Sequence, residues 1–237
     1  MTRLVATLRL DVRNQYRQGF YFASVAVLAI VAAVISVLPP EAAFILPAIL
    51  LTNMLLVTFV FVGGLLLLEK DQGTLESLIV TPLQPGEYLL AKVLSLTGLA
   101  VLENMIIAVF ARMNGLLPGA DWGWILIGSC FSGAVYTLFG FLVVIRYSTL
   151  NEYLLPMALV AGLLQLPALV CFGVPEFLLL YLLPTHGPLL MFLSGLEPLR
   201  TSTMIYAVLY PAAWILVSFW LGKRAFHRFV AGGVGKA

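Results

Sequence analysis

The sequence predicts an all-α integral membrane protein with six transmembrane helices, and two observations lead to this class. Hydrophobic residues make up 62% of the 237 residues and charged residues only 10%, whereas soluble domains carry about 25% charged residues. The hydrophobic runs are also long enough to cross hydrocarbon at about 1.5 Å of helix rise per residue. We expect a single membrane domain over residues 1–237 and no soluble domain.

Six hydrophobic runs are predicted to span the membrane. They cover residues 20–38, 44–68, 93–111, 122–145, 153–172 and 203–222. Pro156 and Pro167 are expected to bend the fifth span. The first run has the composition of a secretory signal, but it is longer and follows a long basic stretch, so we expect it to stay in the protein.

Residues 2–18 precede the first span and have the periodicity of an amphipathic helix. One arc at about 100° per residue holds Leu4, Leu8, Val12, Tyr16 and Val5, while Leu10 and Gln15 fall out of place. The opposite arc holds the basic residues Arg3, Arg9, Arg13 and Arg17. This pattern favours an interfacial helix whose arginines face lipid phosphates. The alternative is a basic flank that only sets the topology.

The stretch between the fifth and sixth spans, residues 173–200, is broken. Residues 177–183 and 189–193 are hydrophobic, but each piece is too short to cross a bilayer. The breaks are Pro175, Pro184, Gly187 and Pro188. Such pieces predict a re-entrant hairpin that enters from the outer face. The alternative is one distorted extra span, which would put the two chain ends on opposite sides of the membrane.

A topology with six spans places most of the basic residues on one side of the membrane. That side holds Arg3, Arg9, Arg13, Arg17, Lys70, Lys92, Arg146, Lys223, Arg224, Arg228 and Lys236. Only Arg112 and Arg200 fall on the other side. Because basic loops stay in the cytoplasm, both chain ends and residues 69–92 are predicted to be cytoplasmic.

A polar segment, residues 69–92, separates the second and third spans. Its formal charges are Glu69, Lys70, Asp71, Glu76, Glu87 and Lys92. Since charges are costly in hydrocarbon, we expect them at or beyond the membrane surface. Residues 75–80 are expected to form one or two helical turns, with Thr74 as the N-cap and Pro82 as the stop. A short helix in this position is suited to contact a soluble partner.

The sequence carries no recognisable catalytic motif. It contains neither a phosphate-binding loop nor a nucleophile elbow. His186 and His227 are predicted on opposite faces of the membrane, so they cannot share a metal. Cys130 and Cys171 lie in hydrophobic runs and are interpreted as packing residues. We therefore expect no catalysis, cofactor, metal or nucleic-acid partner for this chain.

Glu103 is the most unusual polar residue of the spans. It lies eleven residues beyond Lys92, which places it about 16 Å along a helix and near the bilayer middle. A carboxylate there is costly and by default indicates a functional site. Glu103 either contacts substrate or stays protonated and forms a structural hydrogen bond. Its candidate partners along a substrate pathway are Asn53, Asn104 and Gln165.

The polar segment resembles the signature of permease subunits of type 2 ABC exporters. The matching residues are Glu69, the run Gly73, Thr74, Leu75 and Glu76, the pair Thr81 and Pro82, Glu87 and Lys92. Outside this segment the resemblance is architectural: a basic interfacial helix, six spans and a broken hydrophobic hairpin before the last span.

The resemblance implies two kinds of protein partner besides membrane lipids. A separate ABC ATP-binding subunit would hold ATP and Mg²⁺, and a second permease chain, identical or related, would complete the dimer. Residues 74–82 would correspond to the coupling helix. The residues implied in ATPase coupling are Gly73, Thr74, Leu75, Glu76, Leu78, Thr81, Pro82 and Glu87. Glu76 and Glu87 either dock on basic residues of the ATPase or are solvated.

Permeases of this length are similar to those of bacterial drug-export systems, including fluoroquinolone efflux, and to the haem-exporter subunit of cytochrome c maturation. The Thr-Pro turn and the long hydrophobic hairpin favour the drug or lipid exporters. The resemblance therefore implies export of a hydrophobic or amphipathic substrate across the bacterial inner membrane. The alternatives are a haem-exporter permease, a proton-coupled secondary transporter that uses Glu103, and a membrane scaffold without transport.

Overall fold

The computed structural model describes residues 3–73, 84–117 and 119–234, with side chains described up to residue 229. In these ranges every regular element is a helix, which confirms the predicted all-α class. The helices are α1 (Arg3–Arg17), α2 (Phe20–Val37), α3 (Leu46–Met54), α4 (Phe61–Asp71), α5 (Pro85–Met113), α6 (Trp122–Val144), α7 (Leu150–Gln165), α8 (Leu178–Tyr181), α9 (His186–Ser194) and α10 (Thr201–Val234).

The chain also contains three helical segments that are not α-helices. A 3₁₀ segment, Pro40–Ile45, leads into α3, and another, Leu166–Phe172, follows α7. A π-helix, Leu55–Val60, joins α3 to α4, and inside it the Thr58 hydroxyl donates to the carbonyl of Met54 at 2.6 Å. Short π-helical segments within α-helices are frequent at functional sites.

Six helical stretches of the described chain are long and apolar enough to cross a membrane, which confirms the predicted number. They are Phe20–Val37, Pro40–Asp71, Pro85–Met113, Trp122–Val144, Leu150–Phe172 and Thr201–Phe229. The protein is therefore a multi-pass membrane protein. Helices α8 and α9 are four and nine residues long, so neither reaches the length of a span.

The fold is centred on α6, which packs against α4, α5, α9, α10 and the π-helix. Gly140 lets α6 lie close to the π-helix, because a Cβ atom at this position would lie only 2.9 Å from the carbonyl oxygen of Phe59. At the periphery, by contrast, α2 buries only Ser24 and Ile35 and exposes large apolar side chains. An apolar, largely exposed surface of this kind is typical of a helix that faces lipid.

The segment between α7 and α10 is held by hydrogen bonds to backbone carbonyls, and its predicted re-entrant path stays a prediction. Thr185 donates to Leu164 at 2.5 Å, Tyr206 donates to Tyr181 at 2.6 Å, and Tyr210 donates to Leu182 at 2.6 Å. The aromatic hydroxyls thus satisfy carbonyls that the break between α8 and α9 leaves without helical partners. Most of α9 is buried against α6 and α10.

Helix α1 turns a polar face toward the protein. Its two buried residues are Asp11 and Gln15, and it packs mainly against α5. Val5, Val12 and Tyr16 of the predicted apolar arc are exposed. Gln15, which the helical periodicity marked as out of place, is therefore at the centre of the contact.

Candidate functional site

Two buried polar networks connect the helices, and the first lies where α1, the end of α4 and the start of α5 meet. We call it the basic-end cluster, and its charged members are Asp11, Glu69 and Lys92. The Lys92 ammonium lies 2.5 Å from Glu69 Oε1 and also donates to Asp11 Oδ1. All three side chains are buried. A buried charge is stable only when it is paired and hydrogen-bonded, and this geometry supplies both.

Neutral side chains complete the basic-end cluster. Tyr88 donates to Glu69 Oε2, and Ser95 donates to Asp11 Oδ2. Gln15 Nε2 also donates to Asp11 Oδ2, at 2.9 Å. All four carboxylate oxygens of the cluster therefore accept a hydrogen bond.

Glu69 and Lys92 are buried inside the protein, which the sequence did not predict. Their position at the membrane surface stays a prediction. Mutual pairing and the carboxylate of Asp11 reduce the cost of burying these two charges. Lys70 is half-buried nearby and donates to the carbonyls of Val144, Ile145 and Tyr147 at 2.7–3.2 Å. It thereby caps the negative end of α6.

The second network, which we call the midspan network, joins Asn53 of α3 to Glu103 and Asn104 of α5. Asn53 Nδ2 donates to Asn104 Oδ1 at 2.9 Å and lies 3.5 Å from Glu103 Oε2. Asn104 Nδ2 in turn donates to the carbonyl of Leu50 at 3.3 Å and to the Ser129 hydroxyl at 3.1 Å. Three spans are therefore linked in the middle of the helices.

This pattern fixes the orientation of both amides. The Leu50 carbonyl can only accept, so Asn104 Nδ2 must face it and Asn104 Oδ1 must face Asn53. Asn53 therefore donates a hydrogen bond to Asn104 Oδ1 through its own Nδ2. Asn53 Oδ1 and Glu103 Oε1 are then left buried without a hydrogen-bond partner among the described residues. Both ion pairs of the described chain belong to the basic-end cluster, so Glu103 has no countercharge within that part of the molecule.

A cavity of about 330 Å³ adjoins the midspan network between α2, α3 and the 3₁₀ segment after α7. Its apolar lining includes Ile30, Val34, Ile49 and Leu169, and its polar lining includes Asn53 and Gln165. Gln165 Nε2 donates to the Thr52 hydroxyl at 2.7 Å, while Gln165 Oε1 accepts from Tyr136 at 3.0 Å. The cavity is therefore an apolar space with a polar edge, and Asn53 connects that edge to Glu103.

Comparison with known proteins indicates a membrane transport role for this chain. A family model described as the fluoroquinolones export permease protein family matches residues 2–233. The chain belongs to this family. Two relatives from two strains of Mycobacterium tuberculosis, each named fluoroquinolones export permease protein, are 29% identical over 236 residues, which cover 97% of this chain and 97% of each relative. The predicted resemblance to small bacterial drug-export permeases is thus confirmed.

The permease brings together three of its four predicted pathway residues. Asn53, Glu103 and Asn104 meet in the midspan network. Gln165 hydrogen-bonds to Tyr136 and Thr52 rather than to Glu103 and lies on the edge of the cavity. The assignment of these residues to a substrate pathway stays a prediction.

Most of the predicted coupling residues of the permease, namely Thr74, Leu75, Glu76, Leu78, Thr81 and Pro82, lie outside the described residues. The other two have local structural roles. Gly73 follows α4 with a φ of 65°, which glycine adopts without the cost of a side chain. Glu87 accepts the backbone N–H of Gln84 at 3.0 Å and so forms the capping box of α5.

Asp11, Tyr88 and Ser95 of the permease were missed by sequence reasoning. The one available signal was Gln15, a polar residue in an apolar arc, because it indicates that this arc of α1 meets polar groups. Within the described chain, no three His, Cys, Asp or Glu side chains are grouped to hold a metal ion.

Proposed function

We propose that this permease is the membrane subunit of an ATP-driven ABC exporter that moves amphipathic drugs out of the cytoplasm or inner leaflet of a bacterial inner membrane. Its relatives are named for fluoroquinolone export, and the apolar cavity with a polar edge suits such amphipathic molecules. Both chain ends lie in the cytoplasm in this proposal, because the basic residues gather at the end of the bundle that holds α1.

The pairing of Glu69 with Lys92 is the observation that carries this proposal. The two residues flank the segment proposed to contact the ATPase, residues 74–82, and a 2.5 Å ion pair joins them. Lys92 also holds Asp11, so α1, α4 and α5 share one buried joint. A displacement of the segment would therefore move three helices together.

The proposed partner is a separate ABC ATPase that binds ATP and Mg²⁺. Its two nucleotide states must contact residues 74–82 differently, because a ligand shifts a conformational equilibrium only through differential interaction. A second permease chain, identical or related, is proposed to complete the transport pathway. The exposed apolar surfaces of α2 and α7 are then available to lipids and to this second chain.

The test begins with co-purification of the permease and an ATP-binding partner from its native host. The complex is reconstituted in vesicles, and its ATPase activity is measured with and without norfloxacin, a fluoroquinolone. We expect Leu75→Asp and Leu78→Asp each to abolish the drug-dependent activity, because a carboxylate replaces an apolar contact. Ser148→Asp, which adds a carboxylate at an exposed residue of the loop before α7, is the charge-matched control and should retain it.

Full drug-dependent activity of both Leu→Asp variants in an assembled complex would refute the coupling role of residues 74–82. A proton-coupled secondary transporter is the second candidate, because Glu103 is buried without a countercharge among the described residues. Norfloxacin transport by the permease alone, driven by an imposed pH gradient and abolished by Glu103→Gln, would support that candidate and overturn the ATP-driven one.

A further inference from the structure

The midspan network has unused hydrogen-bonding capacity of one kind only. When Glu103 is ionised, the two atoms of the network without partners among the described residues, Asn53 Oδ1 and Glu103 Oε1, are both acceptors. The amide orientation behind this result is set by the Leu50 carbonyl, which can only accept and therefore requires Asn104 Nδ2. A group that complements the network must therefore be a hydrogen-bond donor.

The negative charge of Glu103 indicates which kind of donor would bind. Glu103 is 2% exposed, and the ion pairs of the described residues lie elsewhere, in the basic-end cluster. A buried carboxylate without a countercharge attracts a cation strongly, because the surrounding dielectric is low. A cationic amine satisfies both requirements, since it donates hydrogen bonds and carries the missing positive charge.

The adjoining cavity provides room for the rest of such a molecule. Its volume of about 330 Å³ lies within the range of small-molecule pockets, about 300–1,000 Å³. Its walls are apolar side chains of α2, α3 and the 3₁₀ segment after α7, and its polar edge is formed by Thr52, Asn53 and Gln165. An amphipathic ligand would place its apolar body against these walls and its amine at Asn53.

Asn53 is the link between the cavity and the carboxylate. It lines the cavity, and its Nδ2 lies 3.5 Å from Glu103 Oε2. This distance is long for a hydrogen bond, so the interaction is weak. Its 2.9 Å bond to Asn104 is stronger and holds the side chain in place. The amine would thus donate to Asn53 Oδ1, while Glu103 supplies the countercharge behind it.

We infer that the cavity bounded by α2, α3 and residues 166–172 is a binding site for amphipathic molecules with a protonated aliphatic amine, recognised by Asn53 and Glu103. This inference deepens the proposed export function by naming the chemistry of the cargo. It depends on that proposal only for the direction of transport, because binding to the isolated permease needs neither ATP nor an ATPase.

Equilibrium binding to the full-length permease in lipid nanodiscs tests the inference. The probes are norfloxacin, whose piperazine amine is protonated near neutral pH, and N-acetylnorfloxacin, in which that nitrogen is an uncharged amide. Fluorescence anisotropy of the probe gives the Kd. We expect Glu103→Gln to weaken norfloxacin binding about tenfold or more, because a charge-assisted hydrogen bond is lost, and to leave N-acetylnorfloxacin unchanged.

Two further variants control this experiment. Glu41→Gln removes an exposed carboxylate elsewhere and should change neither Kd. Val34→Trp, at a half-exposed residue of the cavity wall, should weaken both probes equally, because it fills the space that holds the apolar body. Val34→Trp also keeps the site testable if Glu103→Gln does not fold, since it leaves the midspan network intact.

Three outcomes would overturn the inference. Unchanged norfloxacin binding by Glu103→Gln would show that the carboxylate does not recognise the amine. An equal loss of both probes in that variant would assign Glu103 a structural role. Unchanged binding of both probes by Val34→Trp would place the ligand outside this cavity. None of these results bears on the ATPase assay, so the export proposal is judged separately.

Discussion

The basic-end cluster and the midspan network are both buried polar centres that link three helices, and they differ in charge balance. Lys92 is 1% exposed and Glu103 is 2% exposed, so burial alone does not separate the two. In the cluster, every carboxylate oxygen accepts a hydrogen bond and an ammonium group lies between the two acids, while the amide oxygen of Gln15 lacks a partner among the described residues. In the network, one carboxylate oxygen and one amide oxygen lack partners among the described residues.

This difference separates a structural joint from a binding site. A fully paired ionic centre gains nothing from a ligand and loses stability when one member is removed. A buried carboxylate with an unpaired oxygen and no countercharge lacks that stabilisation, and an added cationic donor supplies it. The distinction predicts different losses of folding stability for variants of the two centres.

The largest effect is expected for Lys92→Met. This change leaves the carboxylates of Asp11 and Glu69 buried together without a countercharge, and breaking a buried ion pair in this way costs about 3–5 kcal/mol. The measurement is the Tm of the purified permease in detergent, followed by helical circular dichroism. Lys223→Met, at an exposed lysine of α10, is the matched control and should leave the Tm nearly unchanged. Equal Tm values for the two variants would refute the role of the cluster as a joint.

A smaller loss is expected for Glu69→Gln. Lys92 keeps Asp11 as a partner in this variant, so no charge is stranded. The amide can still hydrogen-bond to Lys92 and Tyr88, so the loss is limited to the charge assistance of these two hydrogen bonds, about 2 kcal/mol in total. The Tm should therefore lie between those of Lys92→Met and the unmodified permease. A Tm below that of Lys92→Met would show that Asp11 contributes little to holding the lysine.

The smallest effect is expected for Glu103→Gln, the same chemical change at the midspan network. The only hydrogen bond to the Glu103 carboxylate found in the described chain is the 3.5 Å contact from Asn53, and no ion pair is lost. We expect a change of less than about 1 kcal/mol in either direction, since an amide also relieves the burial of an ionisable group. If this variant loses as much stability as Glu69→Gln, the midspan network is a structural centre like the cluster.

The class and the number of spans were predictable because both depend on local composition. Twenty consecutive apolar residues specify a membrane helix wherever they occur in a chain. Glu103, Asn53 and Asn104 were predictable for the same reason, since polar residues in such runs are conspicuous. Gln165 was equally conspicuous, but its hydrogen bonds to Thr52 and Tyr136 depend on how helices pack, which hydropathy does not encode.

The basic-end cluster could not be assembled from local patterns. Asp11 and Lys92 are 81 residues apart, and each looks like an ordinary surface charge in its own stretch. The π-helix Leu55–Val60 was missed for a similar reason, because its residues fit an α-helix and only its packing on Gly140 is unusual. Sequence reasoning therefore located the isolated polar residues of the spans but missed the pairing of Glu69 and Lys92 with Asp11.

The separation between Asp11 and Lys92 also has a consequence for biosynthesis. Ribosomes make α1 before α5, and the Asp11 carboxylate therefore lacks Lys92 until the start of α5 has been translated. During that interval Asp11 is better solvated by water than by the protein. Helix α1 is therefore expected to pack against α5 late in membrane insertion, after the first two crossing helices are already in the bilayer.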